Sequence, residues 1–222
     1  MPKYHRQFGI PFSRIHKDKE LPYIVPFPYK HIVGIVGPKY SGKTIVSSHL
    51  VEEYGYRFYS LSSAVRSEAE RVGLPCERSV LQALGNELRR CYGRDVLAKR
   101  TARALYRDIV EREETIPYIV VDGLKNHGEV EFLRKLPGFV LIAVVAPVEI
   151  RYGRAQSCNG FRGSLAEFEA TVDAVDSQEA DEYGQQVNAC MDMRAGDYTL
   201  TNDATSGGLL TACDRIIGGL EG

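Results

Sequence analysis

Eight consecutive residues carry the clearest chemistry in the chain. Gly37-Pro38-Lys39-Tyr40-Ser41-Gly42-Lys43-Thr44 matches G-x-x-x-x-G-K-[ST], the Walker A pattern. Each part has a physical reason: glycines let successive backbone N–H groups turn inward around phosphate oxygens, and a following helix adds the positive end of its dipole. Lys43 is placed to reach the β- and γ-phosphates, and the Thr44 hydroxyl to ligate Mg²⁺. Gly37, Lys39, Tyr40, Ser41 and Gly42 would line the cradle itself. A chance glycine-rich turn is the competing reading, and the apolar run before the motif and the helical stretch after it argue against that.

A second acid follows downstream. Tyr118-Ile-Val-Val-Asp122-Gly123 is an apolar run ending in a carboxylate, the way a metal-binding acid reaches the carboxyl edge of a parallel sheet. Alone, an Asp-Gly step is an ordinary turn; behind a Walker A loop it is expected to face Mg²⁺. Between the two lie Ser62-Ser63-Ala-Val-Arg66 and Gln82-Ala-Leu-Gly85-Asn86-Glu-Leu-Arg89-Arg90. These hydroxyls, amides and guanidinium groups suit a phosphate plus a nucleobase. For Arg90, Arg94, Arg100, Arg103 and Arg107 a solvated helix face is the preferred reading. Further on, Pro147 opens a helix with Arg151 and Arg154 at i, i+3, followed by the glycine-containing stretch 157–163 with Arg162. Such arginines can form a lid that closes over a triphosphate and neutralises charge in the transition state. Asp176 and Glu179, in an acidic stretch that has no Lys or Arg, are candidate partners for them.

To position these groups the chain needs strands that end at one edge, and from His31 onward it alternates short apolar runs with longer helical stretches, the βαβ signature. Strands are expected at His31–Val36, Tyr56–Leu61, Pro117–Val121, Phe139–Val145 and, shorter, Tyr198–Thr201. Helices are expected near 43–54, 63–72, 78–92, 95–114, 127–136, 148–156, 164–183 and 207–218. Ser164 with Glu167 and Asn126 with Glu129 form capping boxes, and Gly55, Gly73 and Gly93 suit left-handed helix ends. Leu165, Phe168, Val172 and Val175 would make one apolar helix face.

Composition narrows the class. With 222 residues, 44% hydrophobic, one sizeable core is expected. A balance of 28 Lys+Arg against 29 Asp+Glu gives no chain-wide basic field for nucleic acid or membrane, so stable binding to either is not expected. Five scattered cysteines and five histidines show no disulfide framework and no metal-ligand spacing, and neither a secretory signal nor a membrane span is legible. A cytoplasmic setting is the expectation. Residues 1–30 differ from the rest, with five prolines, six aromatics and a local charge of +4. They read as an arm outside a core domain at 31–222, packing on something and making a homodimer conceivable.

Taken in order, the Walker A loop, Ser62-x-x-x-Arg66, the Leu81-to-Arg89 stretch L-x-x-L-G-N-x-L-R, Val121-Asp122-Gly123-x-x-Asn126, Ala146-Pro147-x-x-x-Arg151-x-x-Arg154 and the terminal Asp197-Tyr198-x-x-x-Asn202 resemble the P-loop nucleoside and nucleotide kinases. The likeness covers roughly residues 31–218 and is greatest to the branch of deoxynucleotide monophosphate kinases and dephospho-CoA kinases. It implies an α/β, three-layer P-loop NTPase fold, a five-stranded parallel sheet in the order 2-3-1-4-5, an acceptor-binding helical region near 60–113 and a lid near 152–163. It also implies a kinase using ATP and Mg²⁺ to phosphorylate a small-molecule nucleotide, foremost a (deoxy)nucleoside monophosphate. Dephospho-CoA kinase-type transfer to a hydroxyl and a nucleotide switch with slow ATPase activity are the alternatives. By position Ser62, Arg66, Gln82, Asn86, Arg89, Lys125 and Asn126 would line the acceptor site; Arg151, Arg154 and Arg162 would be lid arginines; Asn202 would lie near adenine; and Asp122 would be the metal-side or acceptor-side carboxylate. Two departures stand out: Lys125 occupies a position where the branch commonly has arginine, and Asn159–Gly163 holds a single arginine.

Overall fold

The computed structural model describes residues 29–111, 116–174, 181–203 and 206–221. The arm expected over 1–30 therefore lies, apart from Tyr29 and Lys30, outside the described residues, as do Val175, Asp176 and Glu179.

Five strands form one all-parallel sheet: β1 (His31–Val36), β2 (Arg57–Ser60), β3 (Tyr118–Asp122), β4 (Phe139–Val145) and β5 (Tyr198–Thr201). Their order is β2-β3-β1-β4-β5. This is the P-loop NTPase arrangement that the resemblance implies. Strand order reverses between β1 and its neighbours, so the crevice beyond their carboxyl ends is the natural ligand position. In register, Gly34 pairs with Val121 and Leu141, and Ser60 with Asp122, which brings the carboxyl ends of β1, β2, β3 and β4 to one edge.

The helices are α1 (Lys43–Tyr54), α2 (Leu61–Val72), α3 (Arg78–Tyr92), α4 (Val96–Tyr106), α5 (His127–Leu133), α6 (Val148–Asn159), α7 (Leu165–Phe168), α8 (Val187–Cys190) and α9 (Ser206–Glu221). Successive residues of a strand face opposite sides, and β1 uses both. Ile32 and Val36 pack with Leu61, Leu84, Leu97, Leu105 and Val130 from α2 to α5 on one face. Val33 and Ile35 pack with Val46 and Leu50 of α1 and with Leu209, Cys213 and Ile217 of α9 on the other. Both faces are thus covered, which explains why the strands read as continuous apolar runs.

Several elements differ from the sequence expectation. The strand expected at 56–61 is shorter: Leu61 begins α2 directly, with its side chain turned into the core. The helix expected over 95–114 ends at Tyr106 and widens into a π-helical turn, Arg107–Glu111, with 112–115 outside the described residues. Of the helix expected over 164–183, the described residues show α7 and a π-helical turn, Glu169–Asp173, with 175–180 outside them, and residues 181–186 are irregular. The reason is visible: Asn126 Nδ2 donates to the carbonyls of Glu182 (2.9 Å) and Gly184 (3.0 Å), and the Gln186 N–H donates to Lys125 O (2.6 Å). These groups are tied to the loop after β3 and cannot serve a helix. Both expected capping boxes are present, at Asn126/Glu129 and Ser164/Glu167. Gly55 and Gly73 close their helices in the left-handed region, whereas Gly93 has ψ 154° and does not.

Candidate nucleotide and acceptor sites

The loop 37–44 joins β1 to α1 and is held open by its backbone. Gly37 has φ +145° and Gly42 φ +108°; a Cβ at Gly37 would run into the Val144 carbonyl, and one at Gly42 into the Asn202 amide. Neither position tolerates a side chain, so the two motif glycines are fixed by sterics as well as by torsion. Tyr40 adopts φ 63°, the only non-glycine with positive φ among the described residues. Such a torsion costs about 1–2 kcal/mol and is retained where surroundings enforce it. Here the Tyr40 hydroxyl accepts from Asn159 Nδ2 (2.7 Å) and its ring lies 6.0 Å from that of Phe168.

Lys43 Nζ donates to Gly37 O and Pro38 O, both at 2.8 Å, so the ammonium spans the mouth of the loop. Thr44 is exposed on the first turn of α1. Asp122 sits at the end of β3, its Oδ1 accepting from the Gly123 N–H at 2.6 Å. No group of three or more His, Cys, Asp or Glu that could hold a metal occurs among the described residues. A hard divalent cation held by Thr44 and Asp122 would take its remaining oxygens from phosphate and water, the usual arrangement for Mg²⁺.

From the far side the loop is braced by Arg154 and Asn202. Arg154 Nη1 donates to Tyr40 O (3.0 Å) and Ser41 O (3.3 Å), and its Nη2 to Asn202 Oδ1 (2.9 Å). Asn202 Nδ2 donates to Ser41 O at 2.8 Å, with the residue 1% exposed. Both ends of the Asn202 amide are thereby engaged, one by the loop and one by Arg154. Arg151, also buried, is clamped bidentately by Asp173 (2.6 and 2.7 Å) and donates through Nε to Ala146 O (3.1 Å). Among the described residues the carboxylate partner of Arg151 is thus Asp173; the candidates Asp176 and Glu179 lie outside them. Lys39 Nζ reaches Val172 O in the same segment at 3.3 Å. Arg162 is exposed, beyond an aromatic cluster in which Tyr152, Phe161 and Phe168 meet edge to face.

Beside the loop, at the ends of β2 and β3, opens a cleft of about 350 Å³. Five of the seven residues expected at the acceptor site line it: Ser62, Arg66, Gln82, Arg89 and Lys125. Asn86 and Asn126 do not. Asn86 Oδ1 accepts from Arg89 Nη1 (3.1 Å), and Asn126, fully buried, caps α5 and docks residues 182–186. Arg89 is itself held: Nε and Nη2 both meet Glu129 Oε1, at 2.8 and 2.7 Å, with side chains 4% and 0% exposed. The other Glu129 oxygen accepts the Lys125 and Asn126 N–H groups, at 2.8 and 3.0 Å. This carboxylate fixes Arg89 and the loop carrying Lys125 at once. Burial, with the Glu129 charge adding to it, pushes the nearby Cys190 thiol well above its ordinary pKa, so it stays protonated.

Sequence reasoning missed Cys76, Arg78 and Gln185, which also line the cleft. Gln185 Oε1 accepts from Lys125 Nζ at 3.4 Å. It lies just beyond the end of the expected helix, on the irregular segment 181–186. With Arg66, Arg78, Arg89 and Lys125 on its walls and no carboxylate among the lining residues, the cleft suits an anionic ligand.

The model of the AAA domain family matches residues 36–164, from the end of β1 through the start of the segment before α7. A UPF0200 protein of Methanothrix thermoacetophila is 34% identical over 179 residues, covering 78% of this chain and 89% of that protein. Another, from Methanosarcina barkeri, is 35% identical over 127 residues, covering 56% of this chain and 64% of its own length. Among solved structures, TT1252 from Thermus thermophilus superposes with a TM-score of 0.57 at 22% identity, over 87% of this chain and all of that one, a likeness of fold. With a Walker A loop at the switch point of a 2-3-1-4-5 sheet, the chain has the P-loop NTPase fold and belongs to the AAA domain family and to the UPF0200 proteins.

Proposed function

We propose that the chain transfers the γ-phosphoryl group of ATP, with Mg²⁺, to a (deoxy)nucleoside monophosphate or similar small nucleotide. The observation that carries this reading is the adjacency of two differently built sites on one sheet edge, the Gly37–Thr44 cradle and the cationic cleft lined by Ser62, Arg66, Gln82 and Lys125. Bound Mg²⁺ would neutralise phosphate charge. The chain's own residues do the rest by positioning, since phosphoryl transfer asks for little covalent chemistry from protein.

In this reading backbone N–H groups of the loop hold the β- and γ-phosphates, and Lys43 exchanges its two carbonyl partners for phosphate oxygens. Thr44 and Asp122 hold the cation. Arg66 and Lys125 bind the acceptor phosphate, with Gln82 at its base. Arg162 is the lid cation available to the transferring group, while Arg154 and Asn202 keep the cradle in shape and Arg151 anchors the 164–174 segment through Asp173. A coupled ATP-consumption screen over ribo- and deoxynucleoside monophosphates and dephospho-CoA tests it. Stimulation by a subset of the monophosphates supports the proposal; consumption indifferent to every acceptor refutes it.

A further inference from the structure

A second and larger cleft, about 530 Å³, lies at the open edge of β2, walled by α2 and α4. It is separate from the acceptor cleft, because α2 stands between them: Ser62 and Arg66 line one, Ser63, Ser67 and Arg71 the other. Arg71 faces Arg100, Arg103 and Arg107, which recur at i, i+3 and i+7 along α4 and the turn after it and so share a face. One carboxylate, Glu68, is among the lining residues. It is taken by Arg71 (2.6 and 3.1 Å) and by Arg100 (3.3 Å). Arg103 and Arg107 are exposed and make no ion pair or hydrogen bond among the described residues. Like charges at this spacing oppose one another, so the arrangement favours an added anion.

The opposite wall offers serine hydroxyls, and Phe58 at the mouth is 44% exposed, an aromatic face beside a cationic cleft. The volume lies within the range of small-molecule sites. We propose that this cleft is a second nucleotide site, taking a nucleoside di- or triphosphate with its phosphates on Arg103 and Arg107 and its base against Phe58. Because α2 carries residues of both clefts, occupancy here bears on the helix that presents Ser62 and Arg66.

The test is calorimetric titration of the full chain with ADP. In the Lys43→Ala chain, where the cradle is weakened, ADP binding persists at a salt-sensitive site, and adding Arg103→Ala with Arg107→Ala weakens it about tenfold or more. Both arginines are solvent-exposed, so circular dichroism and melting are expected to be unchanged. Arg66→Ala in the same background leaves that residual binding intact. Phe58→Ala lowers affinity for ADP but not for pyrophosphate. The proposal is overturned if residual binding is absent, if the double arginine change leaves it unaltered, if Arg66→Ala abolishes it, or if Phe58→Ala affects neither ligand. None of these outcomes depends on whether an acceptor is phosphorylated, so a failure here and a failure of the proposed kinase reaction are read separately.

Discussion

Arg154 Nη2 and Asn202 Oδ1 lie 2.9 Å apart across 48 residues of sequence, and both side chains also donate to the carbonyl of Ser41. The Walker A loop is thus fastened to α6 and to the end of β5, elements more than a hundred residues from it in sequence. Asn202 is buried, so Asn202→Ala leaves the Ser41 carbonyl and one Arg154 donor short of a partner at a cost of about 1–3 kcal/mol. The expected outcome is a lowered melting temperature together with weaker ATP binding, while the acceptor KM moves little. Titration calorimetry and thermal melts check it; an unchanged ATP affinity would remove Asn202 from the loop's support.

Lys43→Met is expected to lower phosphoryl transfer by roughly 10³-fold or more with the fold intact, because it deletes a charge aimed at the transferring group. Lys43 Nζ donates to the loop carbonyls of Gly37 and Pro38, on the part-buried phosphate loop, so its loss should leave the core intact. Near-full turnover in a folded variant would contradict its role.

Lys125 separates acceptor from donor. Lys125→Ala should raise the acceptor KM by about tenfold or more and leave that of ATP nearly unchanged, whereas Lys125→Arg should retain or tighten acceptor binding. Steady-state kinetics with both substrates varied distinguishes these outcomes, and equal effects on the two would move Lys125 out of the acceptor cleft.

How much of this was legible beforehand depends on the type of interaction. The strands, both capping boxes and the glycine-lysine loop could be read because each is written in a local pattern, apolar runs, an S/N-x-x-E spacing and a G-K-T motif, whereas the sheet order is implied only by the resemblance to P-loop kinases. Arg151, Arg89 and Asn126 carried the same residue types as binding groups. Their partners, Asp173, Glu129 and the carbonyls of Glu182 and Gly184, lie 22, 40 and 56 to 58 residues away, and no local pattern announces them. Gln185 stayed hidden for the same reason: it lies just beyond the expected helix, and the partner that places it in the cleft, Lys125, is 60 residues away.

Asp197 supplies a pH dependence. Burial alone would raise its pKa, but the Arg134 guanidinium (2.6 Å) and the backbone N–H groups of Arg194 and Leu141 outweigh that and hold it below the ordinary value. A carboxylate whose folded pKa is depressed stabilises the fold above its unfolded pKa, and that contribution is lost as pH falls through the folded value. Wild type should therefore exceed Asp197→Asn in melting temperature from neutral pH down to about pH 5, with the gap closing progressively below about pH 4. A gap independent of pH would show that Asp197 contributes shape and hydrogen bonding without its charge.

The most direct test of the central claim follows the phosphoryl group itself. The full chain is incubated with Mg²⁺, ATP labelled in the γ-phosphoryl group and each nucleoside monophosphate in turn, and the labelled products are separated. The account predicts label in a nucleoside diphosphate for a subset of acceptors, lost in Lys43→Met and shifted to higher acceptor concentration in Arg66→Ala. Label appearing only in inorganic phosphate, at a rate no acceptor alters, would contradict it.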